Sequence, residues 1–472
     1  MKKCIYILFT LLIFSIVGCN SNKGNKSDFS NDIQPYAENP KYWQYKGKPV
    51  LLLGASNNDN LFQSPDLEEQ LNLLRSVGGN FVRNNMSSRD SGDVKLYYRQ
   101  EDGKYDLDKW DIEYWNRFEK LLKLADERDI FIQIEVWDRF DYSRKNWENN
   151  PLNPGNNCNY SEEECGLETE YSKHPVDDLQ PFFHSINGMP NYSPALELVK
   201  KYQEKFVDKI LSYSLNYGNV LYCMDNETST PPEWGKYWMR YIKNKAGEKQ
   251  VFTTDMFGFF YLPNSCEVCK DAIQNSEEYL FLDVSQIGCL SNQAHWDTLK
   301  WIVTERNKYP LRPLNCVKTY GGENSIWGSG SNEDGVERFC RSVIGGCAAV
   351  RHHRPTYGNG LNEKAQTTIK SLRKVESLVK MWEVEPNMEF LSGREDDEAY
   401  LTAAEGSKYV ILFPSGGSVK VDLSNYNKEF YGKWISVKTG EWGEQFFVKG
   451  GGEAEISTPD QDGWFAVLSS TN

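Results

Sequence analysis

Residues 219–227 read NVLYCMDNE, a short apolar run that ends on three consecutive polar side chains, Asp225, Asn226 and Glu227. Seven further runs of the same kind stand between residue 50 and about residue 385: PVLLLGAS, NFVRNN, IFIQIEVWD, VFTTDM, YLFLDVSQ, PLNCVK and CAAVRHH. Between them apolar residues recur at helical spacing, as in LEEQLNLLRSVG, WNRFEKLLKLADERD, LELVKKYQEKFVDKILSYSLNYG, WGKYWMRYIKNKAG and WDTLKWIVTERN. Ser64-Pro65 supplies a cap residue and a first-turn proline ahead of the first helix, and LNEKAQTTIKSLRKVESLVKMW closes the series. Eight strand–helix units predict an α/β fold, a (β/α)8 TIM barrel. A doubly wound sheet competes, but no GxGxxG follows the first run and eight units are many for one.

The segment KYWQYKGKPVLLLG reads as a hairpin turning on Lys46-Gly47 that plugs the barrel bottom. The long stretch after the third run, FDYSRKNWENNPLNPGNNCNYSEEECG and onward, reads as an inserted loop that shapes the substrate region. From residue 387 the texture changes to alternating segments, AYLTAAE, YVILFP, SVKVDL, WISVKT, QFFVKG and WFAVLSS, with glycine-rich turns between them. This predicts a small antiparallel β-sandwich. The expected organisation is a lipoprotein signal over 1–19, a disordered tether over 20–33, a barrel over 34–386 and a sandwich over 387–472.

The leader MKKCIYILFTLLIFSIVGC carries two lysines and an apolar run too short for a comfortable membrane span. Its SIVGC resembles a lipobox, which implies lipid attachment at Cys19 and a place on the bacterial cell envelope, anchored to a membrane. The polar residues that follow read as the tether. Net charge is −14, which argues against a nucleic-acid partner, because that binding neutralises phosphate. With two of the 11 cysteines in the leader, an odd number remains, and in an oxidising compartment at least one stays unpaired within the chain. Cys158 and Cys165 share a polar loop and are candidates for a bridge. Cys266 and Cys269 form a CxxC with no second CxxC to complete a zinc site. Cys223, Cys316, Cys340 and Cys347 lie in apolar runs and read as buried thiols. No cofactor or metal is called for, since His352 and His353 are adjacent on a strand and point to opposite faces.

In such a barrel the C-terminal strand ends face the site. The first strand offers Asn57 and Asn58, the second Arg83, Asn84 and Asn85, and the third Glu135, Trp137 and Asp138. The fourth offers Asp225, Asn226 and Glu227, the fifth Asp255, and the sixth Asp283, Ser285 and Gln286. The seventh ends on Lys318 and the eighth on Arg351, His352 and His353; His295 joins the substrate-binding set. Few of these groups are stable in an apolar barrel mouth without partners, so their clustering points to a site. An aromatic content of 14% is compatible with rings that stack on sugars as well as with packing. A structural salt bridge is the competing role for Glu227.

The stretch LYCMDNETS resembles glycoside hydrolase clan A, in which an Asn-Glu pair ends the fourth strand. The resemblance implies Glu227 as general acid or acid/base and Asn226 on the sugar 2-hydroxyl. Arg83 in GGNFVRNN matches the arginine that follows the second strand there. Across most of the body, NPKYWQYKGKPVLLLGAS, LDVSQIG and GGCAAVRHHRP resemble the apiosidase-like barrel family. The terminal YVILFPSGGSVKVDLSNY, WISVKTGEW and GWFAVL are similar to the collagen-binding-type domain that often follows it. The family implies a retaining glycosidase of polysaccharide utilisation.

One stretch departs from the family. Residues 312–327 read RPLNCVKTYGGENSIW, and Lys318 stands where the family's seventh strand ends in glutamate. Four readings follow: Glu323 as a nucleophile from the loop; Glu135 or Asp138 as base of an inverting reaction; Lys318 as base of a β-elimination; or a site that binds without turnover. Arg83, Lys318, Arg351, His352, His353 and Arg354 fall at adjoining strand ends and suit a carboxylate or sulfate, with internal pairing to Asp225, Asp283 and Glu227 as the alternative. The expectation is a glycoside hydrolase acting on an oligosaccharide or polysaccharide of plant or algal origin that carries a uronic or sulfated sugar. Glu227 is catalytic, and Glu135 is favoured over Glu323 as second carboxylate because strand ends are held more rigidly than loops. The alternatives are a uronate lyase using Lys318 or a histidine as base, and an inactive surface glycan-binding protein.

Overall fold

The computed structural model describes residues 31–470 apart from 259, 262–264 and 324–327. The leader and Cys19 lie outside the described residues. The eight apolar runs form eight parallel strands: β1 (Leu52–Ala55), β2 (Phe81–Asn85), β3 (Phe131–Asp138), β4 (Val220–Asn226), β5 (Thr253–Thr254), β6 (Leu282–Asp283), β7 (Leu314–Thr319) and β8 (Ala349–His352). They are hydrogen-bonded in the order β5-β4-β3-β2-β1-β8-β7-β6. The seam between β5 and β6 is bridged by the Leu280 N–H, which donates to Thr253 O at 2.9 Å. The result is a nearly closed barrel.

A helix follows each strand: α1 (Leu67–Ser76), α2 (Ile112–Asp126), α3 (Leu196–Ser214), α4 (Glu233–Ala246), α5 (Glu267–Gln274), α6 (Asn292–Arg306), α7 (Asn332–Ile344) and α8 (Glu363–Leu378). All eight strands are buried along their length, since helices cover the outside and side chains fill the inside. That is why they read as continuous apolar runs.

The N-terminal hairpin closes the barrel floor. Trp43 donates its indole N–H to Asn315 Oδ1 at 3.0 Å and meets Phe252 and Phe281 edge-on, with centroids 5.6 and 5.5 Å away. Asn315 donates to Gln133 Oε1 at 3.0 Å, and Gln133 donates to Asp283 Oδ2 at 2.6 Å. This chain satisfies the buried polar layer above the plug. The folded body starts earlier than expected: Ile33 is buried and its N–H donates to Gly218 O at 2.7 Å, so residues 31–33 belong to the barrel and not to the tether.

Two insertions build a wall beside the rim. One is the expected stretch after β3, held by asparagine amides that cap its own backbone; Asn153 Nδ2 reaches Trp147 O at 3.0 Å and Thr169 O at 2.9 Å. The other, absent from the sequence reading, is a hairpin of Tyr97–Arg99 and Tyr105–Trp110. The Tyr105 N–H donates to Asn156 O at 2.8 Å and the Cys158 N–H to Tyr105 O at 3.0 Å, which joins the two. The Cys158–Cys165 bridge does not form. Cys158 is exposed on the wall, whereas Cys165 is buried with Leu167 N–H on its sulfur at 3.4 Å. Among the described residues the disulfide joins Cys266 to Cys269 at the start of α5. Cys223, Cys316, Cys340 and Cys347 are buried thiols.

The C-terminal strands form a six-stranded antiparallel sheet facing a three-stranded one. The first strand, Glu385–Pro386, pairs with Tyr400–Ala404, so the sandwich begins just before residue 387. The strand Lys408–Phe413 shows how the larger sheet is used. Tyr409, Ile411 and Phe413 enter the core between the sheets, while Val410 and Leu412 join the barrel core on the opposite face. Tyr400 packs tilted against Trp296 of α6, centroids 4.8 Å apart, and Arg341 of α7 pairs with Asp397 at 3.0 Å.

Candidate active site

The site lies at the C-terminal rim, and its centre is Glu227. The residue sits one position past β4 with φ +59°, a left-handed backbone that costs a residue other than glycine about 1–2 kcal/mol. The chain beyond it is stitched to the β5 loop, Thr228 N–H donating to Met256 O at 2.7 Å and Gly258 N–H to Thr228 O at 3.0 Å. These bonds fix the turn that aims the carboxylate across the rim. Its Oε1 accepts from Lys318 Nζ at 2.6 Å and from the Tyr320 hydroxyl at 3.2 Å. Lys318 also donates to Asn226 Oδ1.

Lys318 reaches this position through an irregularity in β7. The register against β8 shifts between Cys316 and Thr319, and the Val317 N–H is taken by Ser285 Oγ at 2.7 Å. Such a shift re-aims the side chain that follows it. Gly288 permits the turn after β6 to come close, because a Cβ there would collide with Lys318 O.

Burial pushes the Glu227 carboxyl upward, but the Lys318 ammonium and its hydrogen bond outweigh burial and hold it below the usual carboxylate range. At neutral pH Glu227 is therefore charged in the resting protein. The general-acid role implied by the clan A resemblance needs a proton that the resting carboxyl does not hold.

Glu227 opens into a pocket of about 200 Å³ walled by Asp59, Arg89, Phe140, Asn146, Asn226, Lys318, Tyr320, His353, Arg354 and Tyr357. Asp59 is the second carboxylate of the pocket, and it was not singled out in the sequence because it lies four residues past β1. It bonds Arg83 Nη1, accepts from Arg354 Nε at 2.7 Å and lies 3.6 Å from His353 Nδ1. Burial would raise its carboxyl; Arg83, His353 and Arg354 hold it well below the usual range. The aromatic wall packs as Tyr320 edge-on to His353 at 5.0 Å and His353 stacked on Tyr357 at 5.8 Å.

The other sequence candidates sit elsewhere. Glu135 is fully buried and bonded through both oxygens to Arg83, the first contact at 2.5 Å, so neither oxygen faces the pocket. Burial leaves its carboxyl above the ordinary value despite that pairing. Asp138 is buried between Asn85 and Arg89, both at 2.7 Å. Arg83 is thus neutralised internally. Arg351 lies beneath the rim, donating to Val317 O at 2.9 Å and to Ser56 Oγ at 2.5 Å.

Trp137 turns outward into a cluster with Phe182, Phe206, Trp234 and Trp238, where the helix layer has room for an indole. His352 likewise faces out and stacks on Phe339 of α7 at 4.2 Å. His295 is on α6, buried against Ser342 at 3.5 Å, away from the rim. Glu323 is an exposed turn residue and does not wall the pocket. Asn57 Oδ1 holds the Leu361 N–H at 2.9 Å, Asn58 Oδ1 holds Gln70 at 3.0 Å, and Asn84 Oδ1 holds the Phe62 N–H at 2.9 Å. These three asparagines tie loops together. Asp255 lies behind the site, accepting the Asp225 N–H at 3.0 Å, with burial raising its carboxyl. Gln286 is buried beside Tyr320. Of the groups expected to gather, Lys318, His353 and Arg354 reach the pocket, and burial holds the His353 imidazole well below the usual histidine range, so it is neutral there.

No family model and no curated protein matches the chain. Solved structures do. A glycoside hydrolase of family 5 from Bacteroides vulgatus matches with TM-score 0.61 at 13% identity, over 93% of this chain and 94% of that one. The fold is one that glycoside hydrolases use. A second structure described as a glycoside hydrolase gives TM-score 0.60 at 12% identity, covering 94% of this chain and 98% of that one. An α-amylase from Geobacillus thermoleovorans gives 0.55 at 10% identity, covering 92% and 94%. At such identities the likeness is one of fold, and the chemistry has to be argued from the side chains.

Proposed function

We propose that the protein is a glycoside hydrolase acting on an oligosaccharide of plant or algal polysaccharide origin, with Glu227 as its reacting carboxylate. The observation that carries this reading is the left-handed backbone of Glu227, which turns a charged carboxylate into the rim pocket. Backbone strain of this kind persists where surrounding structure over-determines it, and it concentrates at active sites. Glycosidic cleavage needs a carboxylate for the anomeric carbon or its attacking water, and a proton for the departing oxygen. Resting Glu227 suits the first role: Lys318 and Tyr320 fix Oε1, and Oε2 has no hydrogen-bond partner among the described residues. Proton donation, the role implied by the clan A resemblance, requires substrate to loosen the Lys318 pair so that burial raises the carboxyl.

Asp59 stands in for Glu135 or Glu323 as the pocket's second carboxylate: charged at rest and held by Arg83 and Arg354, it supplies negative charge beside the anomeric centre. The departing oxygen takes its proton from Glu227 once substrate has loosened the Lys318 pair and the carboxyl has taken a proton from water. Tyr357 and Phe140 line the pocket and supply the apolar surface that a sugar ring packs against. Elimination by Lys318 is not favoured, because its ammonium is committed to Asn226 and Glu227. Apiosidase-like membership is kept as the family proposal, with Lys318 as its departure from the pattern. Lipid attachment at Cys19 is kept as the proposed envelope anchor.

A panel of neutral and acidic oligosaccharides tests the function, scored for new reducing ends and for ultraviolet absorbance of unsaturated sugars. Reducing ends without that absorbance are expected. Unsaturated products would reassign the site to elimination, and binding without product would make it a glycan receptor.

A further inference from the structure

The rim pocket continues past Arg89. Arg89 and Asn146 also wall a second hollow of about 380 Å³, completed by Lys95 and Arg99 on one side and by Asn149 and Asn156 on the other. The hairpin side brings the cations, and the insertion after β3 brings the amides. Lys95 Nζ donates to Ser88 O at 2.5 Å and Arg99 Nε to Gly103 O at 3.0 Å. Neither has a carboxylate within ion-pair distance among the described residues, unlike Arg89 beside them, which pairs with Asp138 and Asp141 at 2.7 Å. Asp141, Asp93 and Asp90 act on Lys95 from farther away, and burial pushes the carboxyls of Asp141 and Asp93 up to about 6. Across the hollow, Asn146, Asn149 and Asn156 each donate Nδ2 to a backbone carbonyl at 2.8 Å. With Nδ2 so engaged, Oδ1 is the group that each of these lining amides has left to offer, and it is an acceptor.

Unpaired cations facing a row of acceptors form a complement to a sugar that carries both an anionic group and hydroxyls. We propose that this hollow is the subsite for the sugar adjoining the one at Glu227, and that Lys95 and Arg99 hold its carboxylate or sulfate while the asparagines accept from its hydroxyls. This rests on the glycoside hydrolase reading of the rim. It moves anion recognition from Arg83 and Arg351, which are buried and engaged within the barrel, to the wall built by the two insertions.

Calorimetric titration of the full chain with trigalacturonate, its methyl ester and a sulfated trisaccharide tests the subsite, using wild type, R99Q and K95Q/R99Q. The acidic trisaccharide is expected to bind wild type with salt-sensitive affinity. K95Q/R99Q should weaken it about tenfold or more, as loss of charge-assisted bonds predicts, with the ester unaffected. Binding of the sulfated probe in place of the uronate would identify the substituent as sulfate. No binding of either anionic probe, or equal weakening of the ester, overturns the proposal. If the double variant fails to fold, R99Q, altered at an exposed position, carries the test with a loss of about threefold or more expected from one such bond. Turnover scored separately distinguishes the two ideas: salt-sensitive binding without turnover keeps the subsite and removes the hydrolase, while turnover of neutral sugars alone does the reverse.

Discussion

Replacing Lys318 by methionine removes the ammonium that lies 2.6 Å from Glu227 Oε1 and leaves an unbranched apolar stem in its place. Lys318 is 2% exposed and Glu227 29%, so the pair is dry on one side and wetted on the other. Two charges about 4 Å apart at an effective dielectric constant near 20 attract by about 4 kcal/mol. Water at the Glu227 side reduces that, and an opposite charge at this range typically displaces a carboxyl by about one to three pH units. Without Lys318, burial is opposed chiefly by the Tyr320 hydroxyl. The Glu227 midpoint should therefore rise from below its ordinary value of 4.5 to above it. The linkage changes sign with it. In wild type the depressed carboxyl contributes stability that is present above 4.5 and lost as pH falls through the folded midpoint. In K318M the raised carboxyl contributes a loss of stability as pH climbs from 4.5 through the new midpoint. Carboxyl-¹³C glutamate NMR, with the Glu227 signal assigned by its absence in E227Q, reads the titration without a substrate. An unchanged midpoint in K318M would refute the claim that Lys318 sets the charge of Glu227.

Other substitutions test the rest of the account. Asp59→Asn should lower turnover about a hundred- to ten-thousandfold, as removal of a catalytic carboxylate does. It should also lower unfolding free energy by about 1–3 kcal/mol, because Arg354 loses its partner while Arg83 keeps Glu135; denaturant titration measures this. Glu323→Gln should leave turnover within about twofold of wild type, since an exposed side chain away from the pocket has little to contribute. Trp43→Ala should cost about 3–5 kcal/mol in unfolding free energy by emptying the barrel floor and orphaning Asn315.

The barrel was legible because parallel strands buried on both faces produce apolar runs, and here eight of them alternate with segments of helical periodicity. Even β5 and β6, with two hydrogen-bonded residues each, were marked by VFTTDM and YLFLDVSQ. The hairpin of Tyr97–Arg99 and Tyr105–Trp110 was missed because its strands are short, mix charged residues with aromatic ones and bury only Tyr97 and Leu107 fully, and because it leans on the insertion it pairs with. Within the site, Glu227, Asn226 and Lys318 were found by position at strand ends. Facing was harder. Alternation from Gln133 and Glu135 would turn Trp137 inward, yet the indole fits the helix layer. Pairing was hardest, because Arg83 meets Glu135 and Asp59 through side chains from three different strands or loops. That convergence is a property of the closed barrel, and no local spacing encodes it. Asp59, Arg89 and Tyr320 reached the pocket from loops, where the sequence offers only polarity as a signal.

The most direct test is the turnover of Glu227→Gln on whichever oligosaccharide wild type cleaves, alongside its affinity for the same sugar. Glutamine keeps the shape and the contact to Tyr320 but supplies neither charge nor a transferable proton. The account predicts a loss of about a hundredfold or more in kcat with binding within a few-fold of wild type. Turnover within about twofold of wild type, in a protein that still folds and binds, would contradict it.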